Sequence, residues 1–220
     1  MTEVELFFDP SCPWTWVTSR WLATVAPERD LAVTWRTWSL PIKNEGRELP
    51  AHLPPELRAR IQAGQGFSTQ ALRVLEAANA SGGNEAVGQL YTELGRLAHA
   101  AGGSYSDGLI AEALAAAGLP ADLAGAAEEE KWDQSIRANM DEVGAEIGDE
   151  VGVPIVAIRD QGSLLAMSGP IMAEVPPLPR ALQLWDAVAT VVSEPTVFEL
   201  KRHRTGGPHP PALDADGRMA

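Results

Sequence analysis

Residues 3–17 read Glu3-Val4-Glu5-Leu6-Phe7-Phe8-Asp9-Pro10-Ser11-Cys12-Pro13-Trp14-Thr15-Trp16-Val17. The first part alternates around Val4, Leu6 and Phe8, as a β-strand does. Pro13 suits the first turn of a helix. Trp14, Val17, Trp21, Leu22 and Val25 then recur at helical spacing up to Pro27. Cys12, the only cysteine, sits at the junction. Free amide N–H groups and the positive end of a helix dipole favour a thiolate there. Pro10, Ser11 and Pro13 mark a loop rather than a core helix face. The stretch therefore predicts a reactive thiol with a lowered pKa, not a buried structural one.

Working outward, Leu31 to Leu40 reads as a second strand, with Val33 and Trp35 on the period-two beat. The first forty residues are thus β-α-β, a unit whose strands run parallel. From Pro54 to Gly148 the composition turns to Ala, Leu, Glu and Arg, with glycine-rich breaks. Helical blocks are expected at Glu56–Ala63, Thr69–Ala80, Glu85–Ala101, Asp107–Ala117 and Ala121–Gly148. Ser104 to Asp107 and Gly118-Leu119-Pro120 read as caps and stops. Strand pattern returns at Pro154 to Ile158, followed by a turn at Asp160-Gln161-Gly162 and a hairpin partner from Ser163 to Met167. Pro179 opens a last helix through Leu182, Trp185, Val188 and Val192.

The order β-α-β, helices, β-β-α is that of an α/β protein. It describes a thioredoxin fold with an all-helical insertion between its two halves. The expected organisation is a core of residues 1–53 and 149–204 and an insertion of residues 54–148. A flexible C-terminal tail, 205–220, is rich in Gly, Pro and Asp.

Composition narrows the function classes. A net charge of −13 argues against nucleic acid and anionic membrane surfaces as partners. One cysteine makes no internal disulfide. The acidic start, with Glu3, Glu5 and Asp9, is unlike a signal peptide, and no apolar run is long enough to span a bilayer. The expected compartment is the cytoplasm, where a free thiol persists. His52, His203 and His209 have no metal-ligand spacing, so no metal is expected.

Several residues are candidates beside Cys12. In thioredoxin-like folds a cis-proline opens the third strand and faces the reactive sulfur. Pro154 occupies that place, and the backbone of Val153 before it would pair with an extended thiol ligand. Thr15 lies one helical turn past Cys12, where its hydroxyl can donate to a thiolate but cannot resolve a disulfide. The plain alternative is a threonine bonded back to its own helix. Trp14, Trp16, Trp21, Trp35 and Trp38 are five of the seven tryptophans. Most suit a core, whereas Trp14, inside the loop, suits a substrate face. Asn44 reads as a loop cap with polar groups to offer a ligand. His99, alone on its helix, reads as a surface or satisfied core histidine. The Glu128-Glu129-Glu130 run reads as a solvated face, and Lys201-Arg202-His203-Arg204 as a solvated basic end.

Together these residues resemble the actinobacterial mycothiol-dependent reductase (nitroreductase-type) family of DsbA-like proteins. The matches run in order. They are Phe8 to Trp16 with Thr18 to Trp21, Trp38 to Leu40 with Asn44-Glu45, and His99. Val151 to Pro154, Ser168 to Pro170, Leu184 to Asp186 and Phe198 to Thr205 follow. The resemblance implies a cytosolic thiol-disulfide oxidoreductase that uses mycothiol as its low-molecular-weight thiol. In it Cys12 is the nucleophile, Pro13, Trp14 and Asn44 line the pocket with Val153 and Pro154, and His99 approaches from the insertion. The family carries Cys-Pro-Trp-Cys, whereas this chain has Thr15 at the fourth position. A monothiol cycle is then expected, with a Cys12 mixed disulfide resolved by an external thiol.

The expected substrate is a small electrophile or a mixed disulfide. Two other functions share the pattern: a kappa-class-like thiol transferase or isomerase, and a non-catalytic binding protein on the same fold. The Ala-rich insertion offers a face for a homodimer.

Overall fold

Val4 and Leu6 leave one side of strand β1 (Thr2–Phe8) and Glu5 and Phe7 the other, and both sides are covered. These relations come from a computed structural model, which describes residues 1–101, 105, 107–148 and 150–214. Ser104 and Ser106, expected as caps, and the tail beyond residue 214 lie outside the described residues. β1 pairs in parallel with β2 (Leu31–Thr37) and antiparallel with β3 (Ile155–Asp160), which pairs antiparallel with β4 (Ser163–Ser168). The order across the sheet is β2-β1-β3-β4. This is the thioredoxin arrangement that the order of elements predicts.

Helix α1 (Pro13–Val25) and the last helix, α6 (Leu178–Val192), cover one face. Val17, Trp21, Leu22 and Trp185 pack there on Val4, Leu6 and Val156. On the other face Phe7, Ile155 and Ala157 meet Val143 of α5 (Asp133–Ile147). Glu5 is buried on this side, held between Arg36 and Arg159, and both arginines reach out to Glu142 of α5. Burying a carboxylate needs such partners.

The second strand ends earlier than its sequence suggests. Ser39 turns the chain, accepting the Ile42 N–H with its side chain, and caps the short helix α2 (Leu40–Lys43).

The insertion departs most from expectation. The two blocks at Glu56–Ala63 and Thr69–Ala80 form one helix, α3 (Pro55–Gly95), which also takes in most of the third block. The chain stays helical through Gly64 and Gly66 because Phe67, Ser68, Ala71 and Leu72 are buried immediately beyond. That packing outweighs the roughly 1 kcal/mol that each helical glycine costs. The break comes instead at Gly83, with φ 71° and ψ −171°, a backbone that a side chain would oppose. A π-helical turn, Arg96–Ala100, continues α3, and α4 (Asp107–Ala116) follows. The last expected block begins as two 3₁₀ stretches, Ala121–Glu128 and Glu130–Trp132, before α5.

Residues after α6 return across the molecule. The His209 N–H donates to the Ala173 carbonyl at 2.6 Å, and Leu213 packs on the helical cluster. Among the described residues no helix is long and apolar enough to cross a membrane.

Candidate active site

Asp9 organises the loop that carries the thiol. Its side chain is completely buried. Oδ1 accepts the N–H and hydroxyl of Ser11 at 2.8 and 2.7 Å. Oδ2 accepts the Leu40 N–H and the Ser68 hydroxyl, both at 2.7 Å. One carboxylate therefore joins the loop to α2 and α3. Burial pushes its pKa up, and the four hydrogen bonds work against that rise. The main chain closes the same turn, with the Cys12 N–H 3.0 Å from the Asp9 carbonyl.

Cys12 is the N-cap residue of α1, with Pro13 in the first turn. The sulfur residue is only 7% exposed and shares a buried cluster with Phe7, Trp38 and Val153. The structure thereby overturns the expectation of a lowered thiol pKa. Burial dominates and pushes it up, and the charge of Asp9 adds to the rise. The Thr15 hydroxyl, the Thr15 N–H and the Trp14 N–H pull the other way, as a helix start should, without prevailing.

Thr15 is fully buried, and its hydroxyl has no hydrogen bond of good geometry. It lies close enough to the sulfur to favour the thiolate. A buried donor without a partner costs stability, and a thiolate at Cys12 is the acceptor it lacks.

The insertion grips the loop a second and third time. The Nε2 of His99 is 2.9 Å from the Pro10 carbonyl oxygen. A carbonyl only accepts, so Nε2 carries the proton and donates. Burial holds the imidazole pKa down at about 4, aided by the nearby charge of Arg60, so the ring is neutral. Tyr105 donates its hydroxyl to the Ser11 carbonyl at 3.1 Å, and its ring stacks on Phe67. His99 is placed by the π-helical turn, and such turns recur at functional sites. The turn can sit so close because position 95 has no side chain. A Cβ on Gly95 would stand 2.1 Å from Cε3 of Trp16.

The structure brings most of the expected residues together, with changed roles. His99 contacts the loop carbonyl rather than the sulfur. Asn44 caps α2 and donates its side-chain amide to the Leu40 carbonyl. Trp14 is half-buried beside the thiol cluster, with the guanidinium of Arg204 5.1 Å from its ring centre. Val153 packs in the Cys12 cluster, and the Val153–Pro154 peptide is cis. Among the described residues neither main-chain group of Val153 has a hydrogen-bond partner. The Pro154 carbonyl accepts the Gly169 N–H at 2.7 Å, and Thr18 of α1 donates to the Pro170 carbonyl at the same distance.

Asp9, Ser68 and Tyr105 are the residues that sequence reasoning misses. Asp9 had a signal, since Asp followed two residues later by Ser favours an Asx turn. Ser68 and Tyr105 had none, because the contacts cross 59 and 94 positions. Among the described residues no group of three metal-ligating side chains is present.

Known proteins share the fold that carries this site. An uncharacterised protein of Mycobacterium tuberculosis, Rv2286c, is 28% identical over 212 residues, covering 93% of this chain and 84% of its own. A putative protein disulfide isomerase from Nitrosomonas europaea superposes with a TM-score of 0.58 at 15% identity, over 86% of this chain and 98% of that one. The cytosolic disulfide reductase DsbM of Pseudomonas aeruginosa gives 0.55 at 18% identity, with the same coverage. These two likenesses establish a shared fold. The family model for the mycothiol-dependent nitroreductase Rv2466c matches residues 11–202, the span from the thiol loop to the basic segment after α6. The chain belongs to the Rv2466c-like family.

Proposed function

We propose that the protein is a cytoplasmic monothiol reductase that uses mycothiol, with Cys12 as its only redox sulfur. The observation that carries this reading is the buried, unpartnered Thr15 hydroxyl beside Cys12. The hydroxyl stands where the family has its second cysteine, and it fits a thiolate better than a thiol.

The residues present fit a small thiol ligand. Val153 offers unpaired main-chain groups in the cluster that holds the sulfur, and Trp14 offers a half-exposed aromatic face. An extended ligand would add to Val153 as a strand edge does. Mycothiol would supply reducing equivalents as a thiol co-substrate.

The chemistry assigned to this chain has two steps. Cys12 loses its proton and attacks a disulfide sulfur. A Cys12 mixed disulfide forms, and the other sulfur leaves as a thiolate that takes up a proton. An external thiolate then attacks the mixed disulfide, leaving Cys12 reduced and a new small-molecule disulfide in solution. No second protein sulfur takes part. Because burial holds the resting thiol protonated, the thiolate forms as the ligand docks and Thr15 donates to it.

The test is intact mass after brief exposure of reduced protein to oxidised mycothiol, followed by reduced mycothiol, with Cys12→Ser as control. One adduct on Cys12, removed by the second thiol, is expected. An adduct forming no faster than on the unfolded chain would overturn the reading in favour of a transferase or a binding protein.

A further inference from the structure

One face of α3 runs along the thiol loop at four-residue spacing. Ser68 donates to Asp9. One turn earlier, the Cα of Gly64 faces Ser11, whose Cβ would lie 3.8 Å from a Cβ at position 64. One turn earlier again stands Arg60, exposed and on the same face. The line from Asp9 through Ser11 thus continues outward to a guanidinium. Its field reaches two of the side chains that grip the loop, His99 and Tyr105. From the opposite direction the C-terminal segment lays Arg204 over Trp14, two residues past the thiol.

Neither cation is neutralised by a carboxylate, a state shared with Arg20, Arg47, Arg58, Arg180 and Arg202 among the described residues. Asp and Glu outnumber Lys and Arg by 30 to 17. Arg29, Arg36, Arg73, Arg96, Arg137 and Arg159 all pair with carboxylates. Among the described residues neither Arg60 nor Arg204 pairs with a carboxylate.

We propose that Arg60 and Arg204 form a cationic rim around the Cys12 site that selects a substrate bearing a carboxylate or similar anionic group. The proposal rests on Cys12 being a reactive thiol, as assigned above. It concerns the electrophile or disulfide that is reduced, and it adds a specificity that the thiol loop alone does not supply. Two exposed guanidiniums flanking the thiol loop raise the local concentration of an anion and orient it toward the sulfur.

Two alkylating probes of similar size separate the ideas. Iodoacetate is anionic and iodoacetamide neutral, and both form a thioether with Cys12 and release iodide. Second-order rate constants would be measured for the native protein, Arg60→Gln, Arg204→Gln, the double variant and Arg204→Lys. Each Gln variant should lower the iodoacetate-to-iodoacetamide ratio by roughly two- to five-fold, the scale of an exposed charge pair. Arg204→Lys should retain the ratio. Raising NaCl from low to high concentration should lower the ratio in the native protein and leave the double variant little changed. An unchanged ratio in both single variants would overturn the proposal. So would equal acceleration of both probes in Arg204→Gln, which would make Arg204 a plain cover over Trp14. Failure of Cys12 to react with either probe would instead remove the thiol reading, and the rim with it.

Discussion

The imidazole of His99 donates to the carbonyl of Pro10 at 2.9 Å, two residues before the thiol and not to it. The histidine therefore positions the loop as a neutral donor. With Ser68 on Asp9 and Tyr105 on Ser11, three side chains of the insertion hold three successive residues of the loop. The thiol is shaped from outside the thioredoxin core.

The depressed pKa of His99, about 4 against 6.5, has a defined effect on stability. The unfolded chain binds the proton more tightly. The His99 contribution is complete above pH 6.5 and is lost as pH falls toward 4. The loss is on the order of 3 kcal/mol. Urea unfolding at pH 7 and pH 4.5 should show it in the native protein, and His99→Gln should remove that part of the difference. An equal pH response in the variant would mean that the ring is not held neutral.

Asp9→Ala should lower stability by about 2–4 kcal/mol, since it strands the part-buried Leu40 and Ser11 N–H groups and the buried Ser68 hydroxyl. The loosened loop should also let Cys12 react faster with iodoacetamide. Denaturant melts and labelling rates measure the two effects separately. Loss of stability without faster labelling would show that the carboxylate supports the fold but not the enclosure of the sulfur.

Cys12 should titrate above the ordinary thiol value of about 8.5. Its labelling rate should still be rising where a free thiol has levelled off. Thr15→Val should move the profile higher, because it removes a group that favours the thiolate. A profile that is unmoved, or moved down, would deny Thr15 that role.

Gly95→Ala should destabilise by about 1–3 kcal/mol, because a methyl group there meets the Trp16 ring and displaces the turn that carries His99. Gly125→Ala, where the added carbon has open space, is the control and should be near neutral. Both would be compared by urea denaturation. Similar melts for the two would show that the ring moves aside freely.

The sequence made the sheet, its connections and the thiol junction legible because each rests on local pattern. Val4 and Leu6 keep the strand period, Pro13 starts a helix, and Asp160 to Gly162 turns a hairpin. Gly64 misleads because local propensity favours a break while distant burial keeps the helix intact. The fate of the thiol was also hidden. The helix start that lowers its pKa is written beside it, but the burial that raises it comes from Trp38 and Val153. His99 could be named only through family resemblance, since its partner is a carbonyl 89 positions away.

The grip on the loop also sets an order of events during synthesis. Cys12 leaves the ribosome early, whereas Ser68, His99 and Tyr105 follow it by as much as 93 residues. At ~5–20 residues per second, that interval is about 5–20 s. Throughout it the only thiol of the chain is open, available to any oxidant or metal nearby. Enclosure of the sulfur is therefore an event of maturation, completed only when the insertion has docked and the segment that carries Val153 has followed it.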